Sequence, residues 1–204
     1  PLDQGSARAM EGVVCVAAAE DLKPFCTPWV GVLSHFAGLR SQPQGPLAEG
    51  VSYWQGEPVV AVVATSRSLA EDALSEIDVT FEELEPTVDM DAALAPDAAP
   101  IHPALGNNIA FERRIDVGAV DAGFAEAAVV VERDFSFARH TGVSLEPRSI
   151  LAEFNPADRQ LVIHHSSQAP QMMARIASKH FNLPEHDVRV ICKDVGGSFG
   201  VKIH

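Results

Sequence analysis

The amino-acid sequence predicts an α/β (α+β) fold in two units, and three observations lead there. Between Pro58 and Leu84 an apolar strand run is followed by a helix of 3.6-residue period and a second β-type run. A similar alternation of strand and helix patterns returns between Ser149 and Cys192. Between the two lies a stretch holding Pro86, Pro96, Pro100, Pro103 and many alanines, with no sustained period after Asp89. Such punctuation marks a boundary between packed units.

In chain order, residues 12–18 read as a buried strand, and Glu20-Asp21 begins a turn that Pro24 and Pro28 keep irregular. Residues 36–50, with three Gly and two Pro, read as a loop. Residues 58–64 form a Val/Ala strand, and Ser68 and Glu71 then have capping-box spacing. Leu69, Ala70, Ala73, Leu74 and Ile77 share one helical stripe opposite Glu71, Asp72, Ser75 and Glu76, so this helix should lie on a sheet. Residues 77–84 return to strand.

In the second unit residues 128–138 alternate. Val129, Val131, Phe135 and Phe137 point one way and Val130, Glu132, Asp134 and Ser136 the other, which predicts a half-buried strand. Residues 149–154 and 160–166 are two more strands around an Asn155-Pro156-Ala157-Asp158 turn. A helix follows from about Gln171 to Phe181 with Met172, Met173, Ile176, Ala177, His180 and Phe181 on its apolar stripe, stopping at Asn182 to Pro184. Residues 188–192 are a short strand that feeds Gly196-Gly197-Ser198-Phe199-Gly200.

Composition removes several function classes. The 15 basic and 28 acidic residues give a net charge of −13, and eleven acids fall between Ser68 and Glu112 without one Lys or Arg. That surface repels a phosphate backbone, so nucleic acid is not an expected partner. The acidic block reads as a solvated helix face plus linker, or as a docking surface for a basic subunit. Three cysteines, Cys15, Cys26 and Cys192, contain no Cys-x-x-Cys pair, which leaves neither a zinc ribbon, an iron–sulfur cluster nor a disulfide framework, and predicts buried free thiols. No apolar run is long enough to span a bilayer and no signal peptide is visible, so the cytoplasm is the expected compartment and no membrane is expected as a partner.

The chemistry-bearing residues cluster late. A strand running into Gly196 to Gly200 brings bare backbone near something, as in an anion cradle or simply a tight turn. Neither dinucleotide nor phosphate-loop spacing is present, although Lys202 follows. Gln168 sits at a strand-to-helix junction, in Ser166-Ser167-Gln168-Ala169-Pro170, where α/β proteins place ligands and where a Gln can donate and accept. Glu146 and Arg148 read as a structural ion pair. His164 and His165 alternate faces of a strand and read as structural.

Five segments in order carry a resemblance: Gly56 to Ala64 leading into Ser66 to Ala73, Phe81-Glu82-Glu83-Leu84, His140 to Val143 with Leu145 to Arg148, Ser167 to Pro170, and Val195 to Lys202. Together they resemble the large subunit of the xanthine dehydrogenase, aldehyde oxidase and aerobic carbon monoxide dehydrogenase family of molybdenum hydroxylases. The resemblance implies an a/b hammerhead domain over 1–92 without its opening strands, a linker over 93–110, and the start of a molybdenum-cofactor-binding domain over 111–204. It implies that Gln168 and the loop Gly196, Gly197, Ser198, Phe199 and Gly200 meet a molybdenum–molybdopterin cofactor, with the cytosine dinucleotide form as one option. Gln168 would approach an oxo ligand, and the loop at Phe199 and Gly200 would lend a backbone N–H. The dithiolene sulfurs hold the metal in this family, so no side chain is expected to ligate it.

The implied reaction is hydroxylation of a small molecule with water as oxygen source, electrons leaving through iron–sulfur clusters and FAD on companion subunits or domains. No catalytic residue is expected in this chain, because the family's general-base glutamate lies late in the large subunit, past residue 204. The remainder of the large subunit, an iron–sulfur subunit, an FAD subunit and a higher-order oligomer are the implied partners. Ile203 stands where purine-oxidising members carry an acidic residue, which turns the expected pocket of Phe199 and Ile203 toward an aldehyde, an N-heterocycle or a carbon monoxide-like substrate. A non-catalytic cofactor-binding or subunit-docking module is the alternative reading.

Overall fold

A computed structural model describes residues 1–31, 36–138 and 140–203 of the protein. Its first unit is built on a pair of antiparallel strands, β2 (Val13–Ala17) and β3 (Ala61–Ala64). Only Val16 and Ala17 of β2 are buried, whereas the preceding Val14 and Cys15 are exposed, so the strand is covered over its second half and not throughout as its apolar run suggested.

Helix α1 (Gly5–Ala9) and helix α3 (Arg67–Ser75) cover the inner face. Ala7 and Ala73 are fully buried there with Val16, and Met10, Val13, Val60, Val62 and Ile77 close the cluster. Small side chains let two helices approach one short sheet closely. The cap of α3 is Ser66, whose side chain accepts from the Leu69 N–H at 3.2 Å, two residues earlier than the Ser68 spacing suggested. Glu71 pairs with Arg67 at 2.7 Å instead of closing a capping box. The β-type run after α3 pairs only at β4 (Asp78–Val79), against β1 (Leu2–Asp3). The turn expected at Glu20-Asp21 is one helical turn, α2 (Ala19–Leu22), in which the Asp21 carboxylate accepts from Ala18 N–H at 2.9 Å.

The stretch between the units is ordered by side chains more than by regular structure. It holds helix α4 (Met90–Ala93), capped by Asp89, and a 3₁₀ turn at Pro103–Leu105. Asn108 accepts from Ile101 N–H at 2.7 Å and donates to the carbonyls of Ala93 and Ala99. Arg40 reaches the carbonyls of Leu105 and Ile109 from the first unit.

In the second unit, β5 (Ile150–Asn155), β6 (Gln160–His165) and β7 (Val188–Ile191) form one sheet, antiparallel between β5 and β6 and parallel between β6 and β7. The β5–β6 turn is fastened by Asn155 and Asp158 side chains accepting backbone N–H groups at 3.0 and 3.1 Å. Helix α6 (Pro170–Phe181) makes the crossover that a parallel pair requires. Ala177 packs on Leu161, Ile163 and Val188, and Ala174, Leu183 and Val190 border them. Asn182, at φ 51°, ends the helix in the left-handed conformation.

Two expectations fail here. Residues 128–138 form no strand; they run irregularly after helix α5 (Val120–Glu126), with Val129, Val131, Phe135 and Phe137 exposed as fully as their neighbours. Alternation makes a strand only where a ladder partner and a covering layer exist, and no described segment supplies either. The cysteines are free but not buried: Cys15 is exposed, and Cys26 and Cys192 are half-buried. No helix among the described residues is long and apolar enough to cross a membrane.

Candidate functional site

The Gly-rich loop leaves the end of β7 and returns beside the β6–α6 junction, so the two sequence features that stood 28 positions apart become neighbours. Gly200 N–H donates to Gln168 Oε1 at 3.1 Å. Because a backbone N–H can only donate, the atom facing it must be the amide oxygen, and this settles which way the Gln168 amide is turned. Its Nε2 protons then have no partner among the described residues, and the residue is exposed. The Gln168 backbone is held as well: its N–H donates to the Lys202 carbonyl at 3.0 Å.

Ser167, almost fully buried, donates to the same Lys202 carbonyl at 3.2 Å and accepts from Ala169 N–H at 3.1 Å. The Cys192 thiol donates to the Ser167 carbonyl at 2.8 Å.

Glu146 does not pair with Arg148. Its Oε2 accepts from Lys202 Nζ at 2.6 Å, from Gly196 N–H at 2.7 Å and from Ser166 Oγ at 3.2 Å. Lys202 is fully buried, and a buried ammonium demands a fixed counter-charge more strongly than an exposed guanidinium does. Those contacts hold the Glu146 carboxyl below its ordinary value, chiefly through Lys202 and then through the Gly196 N–H. Gly196 is a necessity of this packing, since a Cβ there would lie 2.7 Å from Glu146 Cβ. Arg148 instead stands near His165, whose pKa is lowered first by burial and second by that positive charge.

Phe199 sits at φ 47°, a conformation that costs a bulky residue on the order of 1 kcal/mol or more. The residue is 75% exposed, so burial does not repay that strain. Strain held without a packing reward is typical of a surface prepared for a ligand. The ring borders an open concavity of about 550 Å³ with His140, Thr141, Gly142, Val143 and Val201. Gly142 allows the approach, because a Cβ on it would lie 2.8 Å from Phe199 Cβ.

Ile203, half-exposed, is not part of that lining, and Gly200 has its N–H committed to Gln168. Another concavity, of about 520 Å³, lies in the first unit beside Tyr53, Trp54 and His102, where the Tyr53 and His102 rings touch. Its lining includes Gln42, Gln44 and Gly45, but among the described residues no backbone N–H there fixes a side-chain amide as Gly200 fixes that of Gln168.

The donor set favours an acceptor-rich ligand over a bare cation. Among the described residues no group of three or more His, Cys, Asp or Glu could hold a metal ion. The carboxylate nearest the loop, Glu146, spends one oxygen on three internal donors, while the Gln168 amide offers two protons outward.

Residues 101–204 match the model of the molybdopterin cofactor-binding domain, and residues 1–85 that of the aldehyde oxidase and xanthine dehydrogenase a/b hammerhead domain. The chain belongs to the large-subunit family of the molybdenum hydroxylases. It is 31% identical to the carbon monoxide dehydrogenase large chain of Hydrogenophaga pseudoflava over 99% of its own length and 26% of that protein. It is 30% identical to the nicotine 6-hydroxylase large subunit of Paenarthrobacter nicotinovorans, over its whole length and 25% of that protein. In three dimensions it is similar to quinoline 2-oxidoreductase from Pseudomonas putida 86, with a TM-score of 0.90 and 31% identity over 99% of this chain and 25% of that one. The chain therefore spans about a quarter of the length of these hydroxylase relatives.

Lys202 and the pair Ser166–Ser167 are the site residues that pattern reading missed. The available signal was a lysine two residues after the last glycine of the loop, with no carboxylate between Asp194 and the lysine to pair with it.

Proposed function

We propose that this chain forms the part of a molybdenum oxidoreductase large subunit that presents hydrogen-bond donors to the molybdenum–molybdopterin cofactor. The observation that carries the reading is the Gln168 amide, locked by Gly200 N–H with its two Nε2 protons left for an outside acceptor. An oxo or sulfur ligand accepts such protons, and the residues present fit a metal held by its own organic cofactor. When bound, that cofactor supplies the two-electron oxidation of the substrate, with water as the oxygen source.

The chain's own residues bind and orient. Gly196, Gly197 and Ser198 carry the loop to the β6–α6 junction, and Gly200 fixes the amide. Phe199 supplies an exposed aromatic wall, and Ile203 an apolar residue beyond the loop. Such surroundings suit an aldehyde, an N-heterocycle or a carbon monoxide-like molecule better than a polyanion. A general base from elsewhere in the large subunit, and iron–sulfur and FAD partners that take the electrons, complete this reading.

Replacing Gln168 by Ala in the cofactor-loaded enzyme tests it. The expected outcome is a fall in kcat of about 10- to 100-fold with molybdenum content retained, the range typical of lost outer hydrogen bonds to a metal site. Steady-state kinetics together with metal analysis decide the matter, and an unchanged kcat in loaded Gln168→Ala removes the assignment.

A further inference from the structure

We propose that Glu146 is a positioning residue, a clasp that joins both ends of the Gly-rich loop through one carboxylate oxygen and so keeps the Gln168 amide aimed. This rests on the reading of Gln168 given above. Gly196 opens the loop and Lys202 closes it, and both donate to Glu146 Oε2, at 2.7 and 2.6 Å. The third donor, Ser166, stands two residues before Gln168. Lys202 transmits the grip to the other side, since its carbonyl accepts the N–H of Gln168 and the hydroxyl of Ser167.

Glu146 therefore reaches Gln168 by three routes: through Lys202, through Ser166, and along the loop to the Gly200 N–H that holds Gln168 Oε1. Each route matters because the terminal torsion of a Gln side chain is broad and two-fold, so the amide keeps no orientation of its own. Without the clasp, the Gly200 N–H shifts and the amide turns. A buried Lys202 deprived of its counter-charge also cannot stay where it is, which moves the carbonyl that anchors Gln168. Glu146 Oε1 makes no hydrogen bond among the described residues, so the whole function of the side chain converges on the other oxygen.

The test uses the complete, cofactor-loaded enzyme and compares Glu146→Gln with Gln168→Ala. Expected for Glu146→Gln are parental molybdenum and pterin content, an unchanged KM, a kcat lowered about 10- to 100-fold, and a Mo(V) electron paramagnetic resonance signal altered in the same sense as in Gln168→Ala. A loaded Glu146→Gln enzyme with the parental signal overturns the clasp, whether or not its kcat falls. Loss of molybdenum from folded Glu146→Gln overturns it too, because the residue would then retain the cofactor and not aim an amide.

The two readings fail differently. If Gln168→Ala alters the signal and Glu146→Gln does not, only the clasp falls; if loaded Gln168→Ala is itself parental, the reading of Gln168 falls and the clasp with it. Should Glu146→Gln not accumulate, the double variant E146Q/K202M removes both charges at nearly constant volume and is judged by the same signal.

Discussion

Lys202 has no contact with solvent, and its charge is met by one oxygen of a residue 56 positions earlier. That pairing sets the pH response of the second unit. Glu146 ionises more readily folded than its ordinary 4.5, so its contribution to stability is complete above that value and lost as the pH falls through the lowered one. His165 titrates below its ordinary 6.5 when folded, so the unfolded chain takes up its proton first and stability also declines as the pH falls below 6.5. Denaturation midpoints followed downward from about neutral pH should decline in two stages, and Glu146→Gln should diminish the lower stage. A parental lower stage in that variant would contradict the assignment.

Gln168 was legible in the sequence because an amide between a strand and a Pro-started helix marks a junction. The partner of Glu146 was not, because proximity in sequence favoured Arg148 while burial, which the sequence does not display, selected Lys202.

At the scale of elements, β5, β6, α6 and β7 were legible nearly to the residue. Their periods agree with their turn chemistry: side-chain acceptors at Asn155 and Asp158, proline at the start of α6 and a left-handed Asn182 at its end. Helix α3 was legible in the Leu69, Ala70 and Ala73 part of its stripe, while Leu74 is exposed and Ile77 follows the helix, and its first residue was not legible, since Ser66 and Ser68 are both plausible caps and only the backbone decides between them. Ser66 has the extended conformation of a cap, so Ser66→Ala should cost about 1 kcal/mol and Ser68→Ala much less. Chemical denaturation of the two variants checks this, and equal losses would put the cap elsewhere. The segment 128–138 shows the opposite case, in which an alternation broken only by Val130 and Arg133 finds no ladder among the described residues and stays exposed on both faces.

For the molecule as a whole, the eleven acids between Ser68 and Glu112 are all exposed, and no cation interrupts them. At about 10 mM ionic strength the Debye length of ~30 Å lets them repel one another, and at about 150 mM, with ~8 Å, it does not. The melting temperature should therefore rise on adding NaCl across that range; a decline would mean that the few surface ion pairs, such as Lys23 with Glu49, outweigh the repulsion.

The two units are also sewn together at a point remote from the loop. Thr27 N–H donates to the His180 carbonyl at 2.8 Å, and the His180 ring, through Nδ1–H, donates to the Thr27 carbonyl at 2.6 Å. Helix α6 begins two residues after Gln168 and spans about 18 Å at the usual rise of a helix. It is thus a rod with the candidate cofactor amide at one end and a bearing in the hammerhead unit at the other, so one stiff element sets the distance between that unit and the amide.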